Sequence, residues 1–95
     1  MSTLIDMGDF KMDKINRINQ HTNNLIGRNI KRIRLSKGLR NRDIIAKLQL
    51  KGIDISHSTY AKIEAGTNNP SVDFLLAIVE ILECDFNTLF QINDD

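Results

Sequence analysis

The sequence predicts an all-α domain of five short helices. Isoleucines at positions 26, 30 and 33 recur at the spacing of one helical face, and basic residues occupy most of the remaining positions of that segment. Glycines at positions 38, 52 and 66 each follow a helix-like segment, where helices commonly end. No segment shows convincing strand alternation of apolar and polar residues over four or more positions.

The five helices are predicted to follow one another with short connections. The first helix is predicted from near Thr22–Asn24 to just before Gly38, and the second from about Asn41 to a stop at Gly52. The third runs from Ser56 to Gly66. The fourth covers SVDFLLAIVEILE, opened by Pro70-Ser71, and the fifth covers DFNTLFQ. The third is the best delimited, because Ser56 is a good N-cap and Ile55 can pack on Tyr60 as a hydrophobic staple. Tyr60 and Ile63 are expected to face the core.

A chain of 95 residues makes one domain. We expect a short N-terminal arm over residues 1–23, a helical domain over residues 24–91 and an acidic tail over residues 92–95. In the arm, apolar residues follow no single period, and asparagine, a mediocre helix former, recurs between them. Three interpretations of the arm stay open: a disordered segment, a segment left partly by cloning, or a helix that orders on contact.

The composition is typical of a cytoplasmic protein. The single cysteine, Cys84, has no partner for an internal disulfide and lies in an apolar pattern, as expected of a core thiol in a reducing compartment. No apolar run approaches the roughly 20 residues that a membrane helix needs. The N-terminus lacks the basic start and sustained apolar stretch of a signal peptide, so no membrane contact is expected.

The net charge of +1 conceals a strong asymmetry along the chain. Residues 24–66 carry a net charge of +7, whereas residues 67–95 carry −6 and contain no lysine or arginine. One interpretation is a set of solvated helix faces that pair with each other. The other is a face that binds a polyanion.

The residue pattern does not indicate catalytic chemistry. His21, His57 and Cys84 lack the spacing of metal ligands, and the five glycines are too scattered to form a phosphate-binding loop. Cys84 ends an apolar helix, where a packing thiol is far commoner than a reactive thiolate. We therefore expect no enzyme activity, no metal ion and no cofactor.

Five blocks of sequence occur in an informative order: IGRNIKRIRLSKGL, NRDIIAKL, ISHSTYAKIEAG, NPSVDFLLAIVEIL and DFNTLF. In this order they resemble the phage-repressor/Cro/Xre-type helix-turn-helix family of DNA-binding domains. The second and third blocks look like the two helices of the DNA-binding motif, and the third is similar to the recognition helix with its Ile-Glu-x-Gly exit. The resemblance implies a five-helix lambda-repressor-like helix-turn-helix domain.

The resemblance also implies which side chains meet double-stranded DNA. Base contacts would come from His57, Ser58, Ala61 and Lys62. Phosphate contacts would come from Arg40, Asn41, Arg42, Lys51, Ser56, Thr59 and Asn68. The residue types suit these roles, since lysine fits guanine O6 and N7 and a helix N-terminus favours phosphate. The alternative for His57 and Ser58 is that these side chains are simply solvated. The alternative for Lys62 is that it contacts a phosphate or stays free on the surface.

Two further features follow from the resemblance. In the family, the positions of Arg34 and Glu64 form an ion pair that ties the first helix to the end of the recognition helix; the alternative is two unrelated surface charges.

The chain also departs from the family pattern. Ile45 stands where relatives keep a small alanine, and the turn QLKGIDI over residues 49–55 is longer than usual. The extra length can change the angle of the recognition helix, make room for Ile45 and bring Lys51 near a phosphate.

The fourth helix is more apolar than one buried face requires. Val72, Leu75, Leu76, Val79 and Leu82 suffice for an inward face. Phe74, Ala77 and Ile81 would then form an extra apolar stripe, which Phe86 and Phe90 of the fifth helix can extend. Such a stripe on a small domain is usually covered. We expect a homodimer interface there, with docking of Leu4, Ile5 and Phe10 of the arm as the alternative.

Together these features predict a sequence-specific regulator of transcription that binds double-stranded DNA. A chain without a catalytic domain most simply acts as a repressor, and a two-fold homodimer would bind an inverted repeat. No cofactor is implied. The alternative is a protein-interaction module on the same fold, such as the antitoxin of a toxin–antitoxin pair, with residues 1–23 holding a protein partner.

Overall fold

The computed structural model describes residues 24–92. This part of the chain forms five helices and no strand, which confirms the predicted all-α fold. The helices are α1 (Leu25–Ser36), α2 (Asn41–Leu50), α3 (His57–Ala65), α4 (Val72–Leu82) and α5 (Phe86–Leu89). The expectations for the arm over residues 1–23 and for the end of the acidic tail lie outside the described residues.

Side-chain caps set the starts of the last three helices. The Ser56 hydroxyl accepts a hydrogen bond from the Thr59 backbone N–H (3.1 Å), as the N-cap prediction requires. Ser71 caps α4 in the same way, and Asp85 caps α5. The bond from Thr88 to the Asp85 carboxylate holds the pKa of that carboxyl below its usual value. At the other end of α3, Gly66 adopts a φ of 86°, a left-handed conformation that glycine accepts without strain.

The helices enclose one hydrophobic core. The inward residues of α1 and α3 are those expected from the spacing, including Ile30 and Tyr60. The buried apolar residues are Ile26, Ile30, Ile33, Ile44, Ile45, Leu48, Tyr60, Ile63, Phe74, Leu75, Ala77, Ile78, Leu82 and Leu89. Every helix contributes at least one residue to this core.

The prediction for α4 was partly wrong about which residues face inward. Leu75 and Leu82 are buried as expected, but four other positions differ. Phe74 and Ala77, assigned to an exposed stripe, are 2% and 6% exposed, whereas Val72 and Leu76, assigned to the core, are 39% and 50% exposed. Because α4 is apolar on more than one side, spacing alone does not select its inward side. The Phe74 ring lies 6.1 Å from the Tyr60 ring, and contacts with α3 and α2 bury this side of the helix. Phe74 and Ala77 therefore line no dimer interface.

The long turn before α3 is held to the core. The Ile53 backbone N–H donates to the Leu48 carbonyl (2.9 Å), and the side chains of Ile53 and Ile55 pack against the buried cluster. The Lys51 ammonium forms an ion pair with Glu80 of α4. Ile45, the departure from the family pattern, is buried in the core. The turn that joins α2 to α3 therefore packs on the core and also contacts α4 through the Lys51–Glu80 ion pair.

The back of α3 is fastened to α1 by a buried hydrogen-bonded group. Arg34 Nε lies 2.7 Å from Glu64 Oε2 and Nη2 lies 3.1 Å from Oε1, so the guanidinium binds both carboxylate oxygens. The Tyr60 hydroxyl donates to the same Oε2 atom (2.7 Å), and Arg34 Nη1 donates to the Leu39 carbonyl (2.9 Å). The hydrogen bond to Glu64 raises the pKa of Arg34. We call Arg34, Glu64 and Tyr60 the anchor triad.

Glycine makes this α1–α3 contact unusually close. A Cβ atom at Gly27 would lie 2.4 Å from the Ile63 carbonyl oxygen and 2.5 Å from that of Glu64. Because these are backbone atoms, they could not yield without moving α3 away from α1. Gly27 and the anchor triad therefore set the distance and the angle of α3 together.

We expect Arg34→Ala to lower the free energy of unfolding by about 3–5 kcal/mol, because Glu64 would remain buried without its cation. Denaturant unfolding monitored by circular dichroism measures the loss. Lys31→Ala is the matched control, since Lys31 is an exposed cation on the same helix. Equal losses in the two variants would show that the ion pair does not anchor α3.

Tyr60 is the single tyrosine of the chain, which makes its ionisation directly observable. Burial raises the pKa of Tyr60, and the bond to Glu64 raises it further. In the unfolded chain a tyrosine ionises near pH 10. The stabilising contribution of Tyr60 is therefore fully present below about pH 10 and is lost as the pH rises beyond it.

We accordingly expect tyrosinate absorbance to appear only at the pH at which the helical circular dichroism is lost. A tyrosinate signal at about pH 10 in a chain that remains helical would contradict the buried hydrogen bond.

Candidate nucleic-acid interface

The outer face of α3 presents the four residues expected to read bases. His57, Ser58, Ala61 and Lys62 are all exposed and lie at the spacing of one helical face near the start of the helix. Tyr60, Ile63 and Glu64 occupy the opposite side and are buried. The helix is thus short, capped at its start and held from behind. These are the properties that let a helix enter a major groove of about 12 Å.

The residues at the start of α3 hydrogen-bond with each other. Besides its role as cap, the Ser56 hydroxyl donates to Thr59 Oγ1 (3.0 Å). Ser56 is exposed and Thr59 half-buried. The Ser56 hydroxyl group therefore already donates its hydrogen bond to Thr59. It could donate to a DNA phosphate only if that bond were broken.

At the start of α2, two exposed cations lie at the N-terminal end of the helix. Arg40 and Arg42 are exposed, and the first N–H groups of the helix contribute its positive dipole end. The Asp43 carboxylate accepts a bond from the Arg40 backbone N–H (2.8 Å) and partly neutralises this end. The Asn41 Oδ1 atom is buried and has no hydrogen-bond partner within residues 24–92.

The remaining expected phosphate ligands have acidic neighbours. Lys51 is bound to Glu80. Asn68 and Thr59 line one shallow depression with Asp54, between the long turn and the linker after α3. A carboxylate at this depression repels a phosphate, so the structure offers a weaker anion site here than at the start of α2.

The sequence-based reasoning missed the role of Asn29. Its side-chain nitrogen donates to the carbonyls of Leu89 (2.6 Å) and Gln91 (2.9 Å), and its oxygen accepts a bond from Arg32 (2.9 Å). Asn29 therefore ties α1 to the end of α5. A signal was present, since an asparagine three residues after Ile26 and four before Ile33 lies on the inward face of α1.

Other kinds of site find no support in the described part of the chain. Among residues 24–92, no group of three or more histidine, cysteine or acidic side chains is placed to hold a metal ion. None of the five helices is both long and apolar enough to cross a bilayer.

Comparison with known proteins agrees with the geometry. The family model described as helix-turn-helix matches residues 30–89, which span the helices from the first half of α1 to the end of α5. No curated protein and no solved structure matches the chain. The match covers more than half of the chain and includes α2, the long turn and α3. The chain belongs to the helix-turn-helix family of DNA-binding regulators, of the Xre and lambda-repressor type.

Proposed function

We propose that the protein is a sequence-specific regulator that binds double-stranded DNA through α3 and represses transcription by occupying its site. One observation carries the proposal. The outer face of α3 exposes His57, Ser58, Ala61 and Lys62, while the anchor triad fixes the back of the same helix to α1. A helix held in this way can present a few side chains to base edges at a defined angle.

Each of the four side chains has chemistry suited to base edges. Lys62 donates to guanine O6 and N7, and His57 and Ser58 can donate or accept. The Ala61 methyl group suits the thymine methyl. Ala61 also leaves space between the polar residues, so that the helix can lie deep in the groove.

Phosphate contacts are proposed first for Arg40, Asn41 and Arg42. They combine positive charge with the N-terminal end of α2, which packs on α3. Ser56, Thr59, Asn68 and Lys51 are proposed as secondary contacts. Their hydrogen bonds and acidic neighbours reduce what each can contribute.

A homodimer is proposed through α5. With Phe74 and Ala77 buried, the candidates that remain from the predicted interface are Phe86, Phe90 and the half-buried Ile81. The rings of Phe86 and Phe90 lie 6.2 Å apart and are both exposed, next to the exposed Ile92. A two-fold dimer would bind an inverted repeat with half-sites about 34 Å apart, one turn of DNA.

The proposed action needs only occupancy of DNA, so it requires no cofactor and would take place in the cytoplasm, where an operator is accessible. The alternative, an antitoxin-like interaction module, depends on residues 1–23. Those residues lie outside the described part of the chain, and no described contact favours that alternative.

We expect selection from random duplexes to enrich a palindromic motif. Lys62→Ala should change the preferred bases and weaken binding to the selected site by about 1–3 kcal/mol, because a lysine–guanine contact is lost. Lys47→Ala is the matched control, since Lys47 is an exposed cation on α2 outside the proposed contacts. The proposal would be overturned if no motif emerged, or if Lys62→Ala and Lys47→Ala selected the same bases as each other.

We expect Arg42→Ala to weaken binding to all duplexes alike and to reduce the slope of log affinity against log salt by about 1, because one phosphate contact is lost. Titrations at several salt concentrations measure this slope. Lys51→Ala should change the slope less, since Glu80 already holds Lys51. A slope that Arg42→Ala left unaltered would exclude the phosphate contact at α2.

A further inference from the structure

The outer face of α1 is basic and carries one exposed leucine. Arg28, Lys31, Arg32 and Leu35 follow the spacing of a single helical face, and all are exposed, Leu35 at 57%. Within residues 24–92, the ion pairs are Arg34–Glu64 and Lys51–Glu80, so the three cations of this face have no carboxylate partner there. The proposed DNA contacts use none of these four residues. We call them the α1 face.

The outer face of α4 has the opposite charge and also carries exposed apolar residues. It combines two exposed apolar residues with three exposed acids: Val72, Leu76, Asp73, Glu80 and Glu83. Lys51 pairs with Glu80 at one end of this face. No lysine or arginine occurs in residues 67–95 to neutralise the others. We call these five residues the α4 face.

Both faces are exposed to solvent within one copy. Each is the solvent side of a helix whose opposite side enters the same core, through Ile30 for α1 and Ile78 for α4. Two α4 faces would also repel each other, because like charges placed opposite one another are unfavourable. The α1 face of a second copy complements the α4 face both in charge and in its exposed apolar residue.

We propose that the α1 face of one copy docks on the α4 face of the next, in a head-to-tail contact. Such a contact is heterologous, because it joins two different surfaces. It leaves one unoccupied face at each end of the assembly, so further copies can add in a row. It goes beyond the proposed two-fold dimer, whose residues Phe86 and Phe90 belong to neither face. Copies bound at adjacent DNA sites would thereby assist one another.

The contact depends on charge and is correspondingly weak and sensitive to salt. Exposed ion pairs contribute little individually, and salt screens them. Leu35 and Leu76 supply the apolar part of the contact. An apolar α5 dimer does not share this salt dependence, which distinguishes the two kinds of association.

The test is sedimentation velocity on the full chain without DNA, at low and at high ionic strength. We expect association that increases with protein concentration at low salt and that is lost at high salt. Leu35→Asp and Leu76→Asp should each remove this salt-sensitive component. Leu50→Asp is the matched control, because Leu50 is an 88% exposed leucine outside both faces, and it should have no effect.

Mixing the variants tests the head-to-tail geometry. Leu35→Asp retains an intact α4 face and Leu76→Asp an intact α1 face, so labelled Leu35→Asp should bind Leu76→Asp at low salt but not further Leu35→Asp. The proposal is overturned if the mixture associates no more than either variant alone, or if Leu50→Asp acts like the other two. It is also overturned if replacing Arg28, Lys31 and Arg32 by Gln weakens binding to a duplex with a single site as much as Arg42→Ala does. That result would make the α1 face a phosphate contact.

Discussion

The structure depends most on the buried junction between α1 and α3. At Gly27 the two backbones meet without an intervening side chain, and beside it the Glu64 carboxylate is bound by both Arg34 and Tyr60. A carboxylate removed from water in this way is stable only if its partners keep good geometry. The same requirement holds α3 at one angle. The buried Glu64 carboxylate and its two partners thus determine how the exposed face of the helix is presented.

The charges of the domain are divided between its two halves. The first three helices carry the excess of cations, and the helices that follow α3 carry acids. Acidic groups also lie next to several of the expected phosphate ligands, at Asp43, Asp54 and Glu80. At the start of α2, one carboxylate faces two exposed arginines, Arg40 and Arg42, whereas on the long turn Lys51 is itself paired with Glu80.

The comparison of sequence and structure is most instructive at α4 and at the long turn. In α1 and α3, most polar residues mark the solvent side, and the apolar inward residues were predicted correctly. In α4, apolar residues occur on several sides, and the packing of Phe74 on Tyr60 decided which of them entered the core. The turn was expected to bring Lys51 towards a phosphate, whereas the fold places it on Glu80, 29 residues away in sequence.

The sequence by itself determined the approximate helix boundaries, the caps of α3 at Ser56 and Gly66, the family and the exposed face of α3. These depend on local hydrogen bonds and on hydrophobic spacing, which adjacent residues encode. Only the tertiary structure decided the inward side of α4, the partner of Lys51, the link from Asn29 to α5 and the joining of Tyr60 to the Arg34–Glu64 pair. These depend on how close distant segments come when they share one core, and apolar spacing within a single helix carries no information about that distance.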